Sequence, residues 1–336
     1  MDEEYQEIMS MKVGINGFGN RGRSILRLLL CQQEIEVTHI NDKMDIPLMA
    51  YLLQFDTPQA EFMASIEYDD SHLIVNNHPI TITRFSDNKD IPWEKSGTEY
   101  VIETAVSEAN CAKLQQHLKS TVKCVILGGL PCDHSIPTMV MGVNEMRLQD
   151  QEKIIASACG TTQCVSLMLK VLHEEFGIAH AFMNSVQSLN TNIVERTDYR
   201  QYHSTANSIV PIPSPAIRGV QMVLPELKSV FDGITTEVPC VGGYVELTAE
   251  LHSSVTTRVV KDAFCRYADG PLNSFLEYCS APMVSNNVIH NPHSAVFDEC
   301  ATKVIDGRFI QILCWFDSEY IHSLRIIDLL KYVHNL

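Results

Sequence analysis

The sequence predicts two domains of different class: an α/β domain with a doubly wound, mostly parallel sheet, then an α+β domain with a largely antiparallel one. Three observations predict this. Strand-like and helix-like segments alternate from Met11 to about Ile178, the pattern of parallel strands joined by crossover helices. A GxGxxG turn joins the first strand to the first helix. Beyond residue 178 the alternation gives way to long strand-like runs, as an antiparallel sheet requires.

In order, "MDEEYQEIMS" is acidic and patternless and reads as a tail. "MKVGING" reads as a strand, "RGRSILRLLLCQQ" as a helix, "IEVTHIND" as a strand and "IPLMAYLLQF" as a helix. "SHLIVNNHPITITRF" reads as a hairpin around an Asn-Asn turn. "EYVIETA", "CAKLQQHLKS" and "KCVILGG" continue strand, helix, strand, and "IIASACG" is a strand that feeds the helix "TTQCVSLMLKVLHEEF". "AFMNSVQSL", "GYVELTAELH" and "DGRFIQILCWF" are strands of the second domain, bracketing a polar, irregular stretch from Asn190 to Ser208. The closing "SLRIIDLLKYVHNL" carries apolar residues at 324, 326, 327, 329, 330 and 333, one face of a helix.

Gly17, Gly19 and Gly22 form the GxGxxG, and each glycine has a separate task. These are a tight turn, close backbone approach to a pyrophosphate, and close packing of helix on sheet. The helix start, with Phe18, Asn20 and Arg21, offers free N–H groups and a positive dipole end to phosphates. Asp42 lies at the end of the next strand, where a carboxylate receives ribose hydroxyls and repels a 2′-phosphate. Together these make a Rossmann dinucleotide site that favours NAD over NADP; Lys43 beside Asp42 weakens the exclusion of NADP.

The formal net charge of −16 argues against nucleic acid or an anionic membrane as partner. No apolar run reaches the length of a membrane span, and no secretion signal opens the chain. The 11 cysteines are scattered without a CxxC, the habit of reduced thiols in a cytoplasmic protein. No Cys/His cluster has metal-ligand spacing.

From "KVGINGFGNRGR" onward the sequence resembles the glyceraldehyde-3-phosphate dehydrogenase family, whose usual opening is KVGINGFGRIGR. "HIND", "YLLQFD", "MVMGVN", "ASACGTTQC", "VLPEL" and "CWFDSEYIHSLRIIDL" resemble further blocks of that family, in the same order. The resemblance does not separate the erythrose-4-phosphate dehydrogenase branch. With the acidic stretch 1–10 taken as a tail or an upstream start, it implies an NAD domain at 11–158, a catalytic-type domain at 159–314, and a C-terminal segment at 315–336 whose helix returns to the NAD domain. It also implies a homotetramer. In that family a cysteine thiolate attacks the aldehyde, a hydride passes to NAD, and phosphate releases the acyl group. A histidine activates the cysteine, while threonine, serine and arginine residues hold two phosphates.

Carried over position by position, the resemblance puts Gly160 where the nucleophilic cysteine belongs and Gln187 where the histidine belongs. Glycine forms no thioester, and glutamine takes up no proton near neutral pH. Asn190, Ser214 and Pro215 stand at phosphate-binding positions, Glu237 replaces the phosphate-binding arginine, and Ser318 replaces an asparagine that contacts the nicotinamide carboxamide. Cys159 falls one residue early and serves as a nucleophile only if the register shifts; Cys164, one helical turn on, reads as packing. His173 reads as structural, and Arg200 and His203 lie in a stretch matching the family's inter-subunit loop.

Three functions follow from this pattern. The first is an NAD-binding pseudoenzyme. The second is an oxidoreductase with a changed, non-phosphorylated or cationic substrate. The third is a partner in a mixed oligomer with an active homologue.

Overall fold

The computed structural model describes residues 10–55, 61–106, 108–119, 121–189, 199–202 and 207–336. The chain divides into two compact units: Met1–Pro137 with Gln149–Ser157 and Ile326–Leu336, and Thr138–Leu148 with Ala158–Arg325.

The first unit begins β1 (Met11–Asn16), α1 (Asn20–Leu29), β2 (Ile35–Asn41) and α2 (Ile46–Phe55). It continues with β3 (Ile66–Tyr68), β4 (His72–Val75), β5 (His78–Thr83), β6 (Tyr100–Glu103), α3 (Cys111–Gln115), β7 (Cys124–Gly128) and β8 (Ile154–Ser157). Its strands lie in the order β8-β7-β6-β1-β2-β5-β4-β3. Every pairing from β8 to β5 is parallel, and only β5/β4 and β4/β3 are antiparallel. This is the doubly wound sheet the alternation predicts. Strands β6 and β7 are buried at every residue, as befits strands covered on both faces. The expected hairpin is present too: Asn76 and Asn77 take left-handed conformations with φ of 50° and 66° between β4 and β5, the type I′ geometry asparagine tolerates best after glycine. The helix expected over "CAKLQQHLKS" is shorter than its pattern. α3 stops at Gln115, after an Asn110 side chain caps its start by accepting from the Lys113 N–H.

The second unit contains α4 (Gly160–Phe176), β9 (Ile178–Ser188), β10 (Val210–Pro213), α5 (Pro215–Val223), β11 (Phe231–Val238) and β12 (Gly243–Leu251). After these come α6 (Thr257–Asp269), β13 (Leu276–Cys279), β14 (Ala295–Asp298), β15 (Lys303–Ile305), β16 (Phe309–Phe316) and the start of α7 (Ser318–His334). Its sheet runs β10-β11-β9-β12-β16-β14-β13, with β15 also on β16. The sheet is mixed: β9/β11 and β13/β14 are parallel and the remaining pairings antiparallel. α4 is buried along nearly its whole length, the mark of a helix inside a core rather than on one. From Ile326 onward α7 belongs to the first unit.

Candidate functional site

The glycine turn is built from the strand ends upward. The residue pairings Asn16–Asn41 and Asn16–Glu103 bring the C-terminal ends of β1, β2 and β6 level. Gly17 follows with φ +99°, a conformation that strains any residue with a side chain. A Cβ there would lie 2.5 Å from the Ala105 backbone nitrogen. A Cβ at Gly22 would run into the Gly17 carbonyl oxygen, so this glycine lets the helix pack against the turn. Gly19 differs. It is the N-cap of α1, makes no side-chain cap, and has nothing within 4 Å of where a Cβ would point. No acidic residue sits in the first turn of α1, so its leading N–H groups stay available to an anion.

Asp42 is engaged within the turn itself. One of its carboxylate oxygens accepts the Phe18 N–H at 2.6 Å and the other the Met44 N–H at 2.8 Å. The carboxylate therefore braces the turn it serves, and each oxygen keeps capacity for a further donor. Arg21 donates to the Gly128 carbonyl at 3.0 Å, while Arg23 holds the Phe18 carbonyl and the Asn20 side chain.

Sequence reasoning missed the support beneath this turn. Glu103, 1% exposed, accepts from Asn16 Nδ2 at 2.7 Å, the Ala105 N–H at 2.7 Å and His117 Nε2 at 3.0 Å. The Trp93 indole N–H donates to His117 Nδ1 at 3.1 Å. An indole only donates, so Nδ1 is the acceptor and Nε2 carries the hydrogen given to Glu103. Asn41 Nδ2 donates to Asn16 Oδ1, Thr83 Oγ1 donates to Asn41 Oδ1, and His39 Nε2 meets Thr83 Oγ1 at 2.8 Å. Burial pushes the His39 imidazole down to about 4. The signal for this network was a glutamate ending the apolar strand "EYVIE", a charge that must be paired if the strand is central.

The second candidate region is the start of α4. Cys159 is its N-cap, with extended backbone, and its Sγ lies 3.1 Å from Thr162 Oγ1. Gly160 is the first helical residue. A Cβ on it would fall 2.5 Å from the Ser318 carbonyl oxygen and 2.8 Å from Ser318 Oγ. The start of α7 that Ser318 opens is fixed by Asp317, whose carboxylate accepts the Tyr320 and His290 N–H groups. Thr161 Oγ1 donates to Gln187 Oε1 at 2.8 Å.

Beside Gln187 in the sheet stands Glu237, 2% exposed, with both carboxylate oxygens 3.2 Å from Gln201 Nε2. A hydroxyl chain continues on the same strands: Ser185 Oγ to Thr235 Oγ1 at 2.8 Å, and Thr235 Oγ1 to Ser214 Oγ at 2.7 Å. Ser214 is the N-cap of α5 and Pro215 its first residue, where the missing N–H costs nothing. Cys164 is buried, and the Cys314 thiol is held well above the ordinary range by burial and by Cys164 beside it. His173 is half-buried within α4. Arg200 donates to the Pro211 carbonyl. Asn190 and His203 lie outside the described residues. No group of three or more His, Cys, Asp or Glu that could hold a metal occurs among the described residues.

A parallel sheet with a GxGxxG turn at its strand ends and Asp42 at the end of the next strand is the arrangement of the dinucleotide-binding proteins. Residues 11–108 match the glyceraldehyde 3-phosphate dehydrogenase NAD binding domain, and residues 158–318 match the C-terminal domain of the same enzyme. The chain is 34% identical over 331 residues to glyceraldehyde-3-phosphate dehydrogenase 1 of Bacillus subtilis (strain 168), covering 97% of this chain and 98% of that protein. It is 35% identical over 338 residues to the Mycobacterium leprae enzyme of that name, covering 97% and 99%. A chloroplastic glyceraldehyde-3-phosphate dehydrogenase of Arabidopsis thaliana is 34% identical over 332 residues, covering 96% and 78%. The chain belongs to the glyceraldehyde-3-phosphate dehydrogenase family. Its cofactor is NAD, and the residues present fit it: an open Gly19, an uncapped α1 and a braced Asp42.

Proposed function

We propose that this protein is an NAD-binding member of its family that does not carry out phosphorylating aldehyde oxidation. One observation carries the reading. Gly160 offers no nucleophile, and the space a side chain would need is taken by the backbone of Ser318. NAD, when bound, would accept a hydride; the residues that would hold the aldehyde carbon from which it leaves are the ones altered. Gln187 accepts a hydrogen bond from Thr161 and is no base near neutral pH. Glu237 sets a carboxylate where the family resemblance expects a phosphate-binding arginine, and at about 4 Å and an effective dielectric near 20 like charges repel by roughly 4 kcal/mol. Calorimetry is expected to show NAD binding, with no NADH formed from glyceraldehyde 3-phosphate and phosphate. Sustained turnover of that substrate overturns the proposal.

A second reading, a dehydrogenase with an altered substrate, draws on Cys159, a half-buried thiol at a helix N-terminus. It predicts NADH from some non-phosphorylated or cationic aldehyde, lost in Cys159→Ser and weakened in Glu237→Gln. A screen of aldehydes and alcohols without a hit removes it.

We further infer that the protein works in the cytoplasm as an oligomer, a homotetramer or a mixed one with an active homologue. Supporting the first point, the 11 cysteines are free thiols, and no helix among the described residues is long and apolar enough to cross a membrane. Supporting the second, Phe182 and Ile234 stand exposed on β9 and β11. They line a shallow cavity of about 400 Å³ on the sheet. Light scattering at a single-subunit mass, with no homologue co-purified, counts against it.

A further inference from the structure

The parallel sheet of the first unit has two ends, and the dinucleotide turn uses only the C-terminal one. At the other end four charged residues cluster where the strands begin. The Glu99 N–H donates to the Lys12 carbonyl at 2.8 Å, the Lys123 N–H to the Glu99 carbonyl at 2.7 Å, and the Val125 N–H to the Lys153 carbonyl at 2.9 Å. Neighbouring strands thus set Lys12, Glu99 and Lys123 side by side, with Lys153 on the next strand one position out of step. A cavity of about 560 Å³ opens there, lined by Glu99, Lys119, Thr121, Lys123 and Lys153 among others. That volume lies within the range of small-molecule sites, roughly 300–1,000 Å³.

The charges in this cavity do not cancel. Lys123 Nζ pairs with Glu99 at 2.6 Å, and that contact raises the lysine and lowers the carboxyl from their ordinary ranges. Lys119 Nζ is pinned by donating to the Ile91 carbonyl at 2.6 Å, which fixes its position and leaves it further hydrogens to give. Three lysines and one glutamate line the cavity, on a chain whose formal net charge is −16. Thr121, whose Oγ1 is buried without a hydrogen-bond partner among the described residues, also lines the cavity.

We infer that this end of the sheet is a second anion site, and that it takes a multivalent phosphate. A singly charged anion would leave much of the lysine excess unanswered and would face Glu99 at a disadvantage. Lysines, as compact point charges with rotatable donors, suit phosphate oxygens of no fixed plane. The site is separate from the dinucleotide turn. Lys12 and Gly17 are five residues apart along β1, and a strand rises about 3.3 Å per residue, so roughly 16 Å divides the two ends. The inference does not rest on the loss of catalysis proposed above.

The test is calorimetric titration of the full-length protein with inorganic pyrophosphate, with NAD at saturation so that the glycine turn is filled. Gly19→Val is titrated in parallel to close that turn independently. Pyrophosphate is expected to bind in both. Lys119→Gln and Lys153→Gln should each weaken it about five- to tenfold, as loss of one charge at a half-exposed site does. Glu99→Gln should tighten it severalfold, a gain that misfolding does not mimic, and NAD affinity should stay constant in these three variants. A parallel titration with ADP separates sources: affinity no better than pyrophosphate assigns a free polyphosphate, and tighter binding assigns a nucleotide. Absence of pyrophosphate binding, indifference to the lysine substitutions, or weaker binding in Glu99→Gln overturns the inference.

Discussion

Two strand-to-helix junctions in this molecule look alike on paper and are opposite in space. Both lead into a helix whose N-cap side chain holds no backbone N–H, with glycine as the N-cap itself at one and as the first helical residue at the other. At Gly19 the missing side chain leaves open space; at Gly160 the same absence is filled by the Ser318 backbone. An identical residue thus means access in one place and closure in the other. Glycine alone does not mark a ligand site; what stands opposite its missing Cβ does.

The contrast can be broken by substitution. The largest effect is expected for Gly17→Ala, which meets both a left-handed backbone and the Ala105 nitrogen. It should cost about 4 kcal/mol in chemical denaturation and abolish NAD binding. Acid comes next, and it should act on the dinucleotide unit. The folded His39 titrates at about 4, below its ordinary value of 6.5. Between these values the unfolded chain takes up a proton that the folded chain does not. Its stabilising contribution is complete above pH 6.5 and is lost as pH falls toward 4. Denaturation monitored over that window should show a loss of up to about 3 kcal/mol, reduced in His39→Gln.

Gly19→Val should keep the melting temperature and weaken NAD about a hundredfold by calorimetry, because its side chain enters space that only the ligand needs. Gly160→Cys should do the reverse. It should lose about 2 kcal/mol by overpacking, keep its NAD affinity, and form no NADH from glyceraldehyde 3-phosphate. If that variant folds as well as the parent and turns over, the closed junction is not closed. The smallest effect belongs to Cys159→Ser, a near-isosteric change at a half-buried thiol that meets Thr162 Oγ1. Its stability should change by less than about 0.5 kcal/mol, and NAD binding should not change.

How much of this was legible beforehand depended on locality. The glycine turn, Asp42 and the Asn-Asn hairpin are short-range patterns whose geometry follows from backbone sterics, and the sequence carries them openly. The alternation of strands and helices gave the first sheet for the same reason. Non-local partners were not legible. Ser318 lies 158 positions from Gly160, and nothing in "CWFDSEY" says its carbonyl meets that glycine. Asp42 read as a ribose ligand, while its hold on the Phe18 N–H needed the folded turn to be seen. The Glu103–His117–Trp93 network joins three separate segments, so only the burial of a lone glutamate in an apolar strand hinted at it.

The last helix has a consequence for how the chain is made. Ile326 packs against Gly128 of the dinucleotide unit, Tyr100 bonds His334, and Lys331 pairs with Glu34. A unit that opens near the start of the chain therefore waits for its final residues. During synthesis at roughly 5–20 residues per second, the second unit's whole length leaves the ribosome before the first can be completed. Until then the nascent protein carries an unfinished nucleotide fold, and a truncation of a few C-terminal residues would be felt first at the opposite end of the sequence.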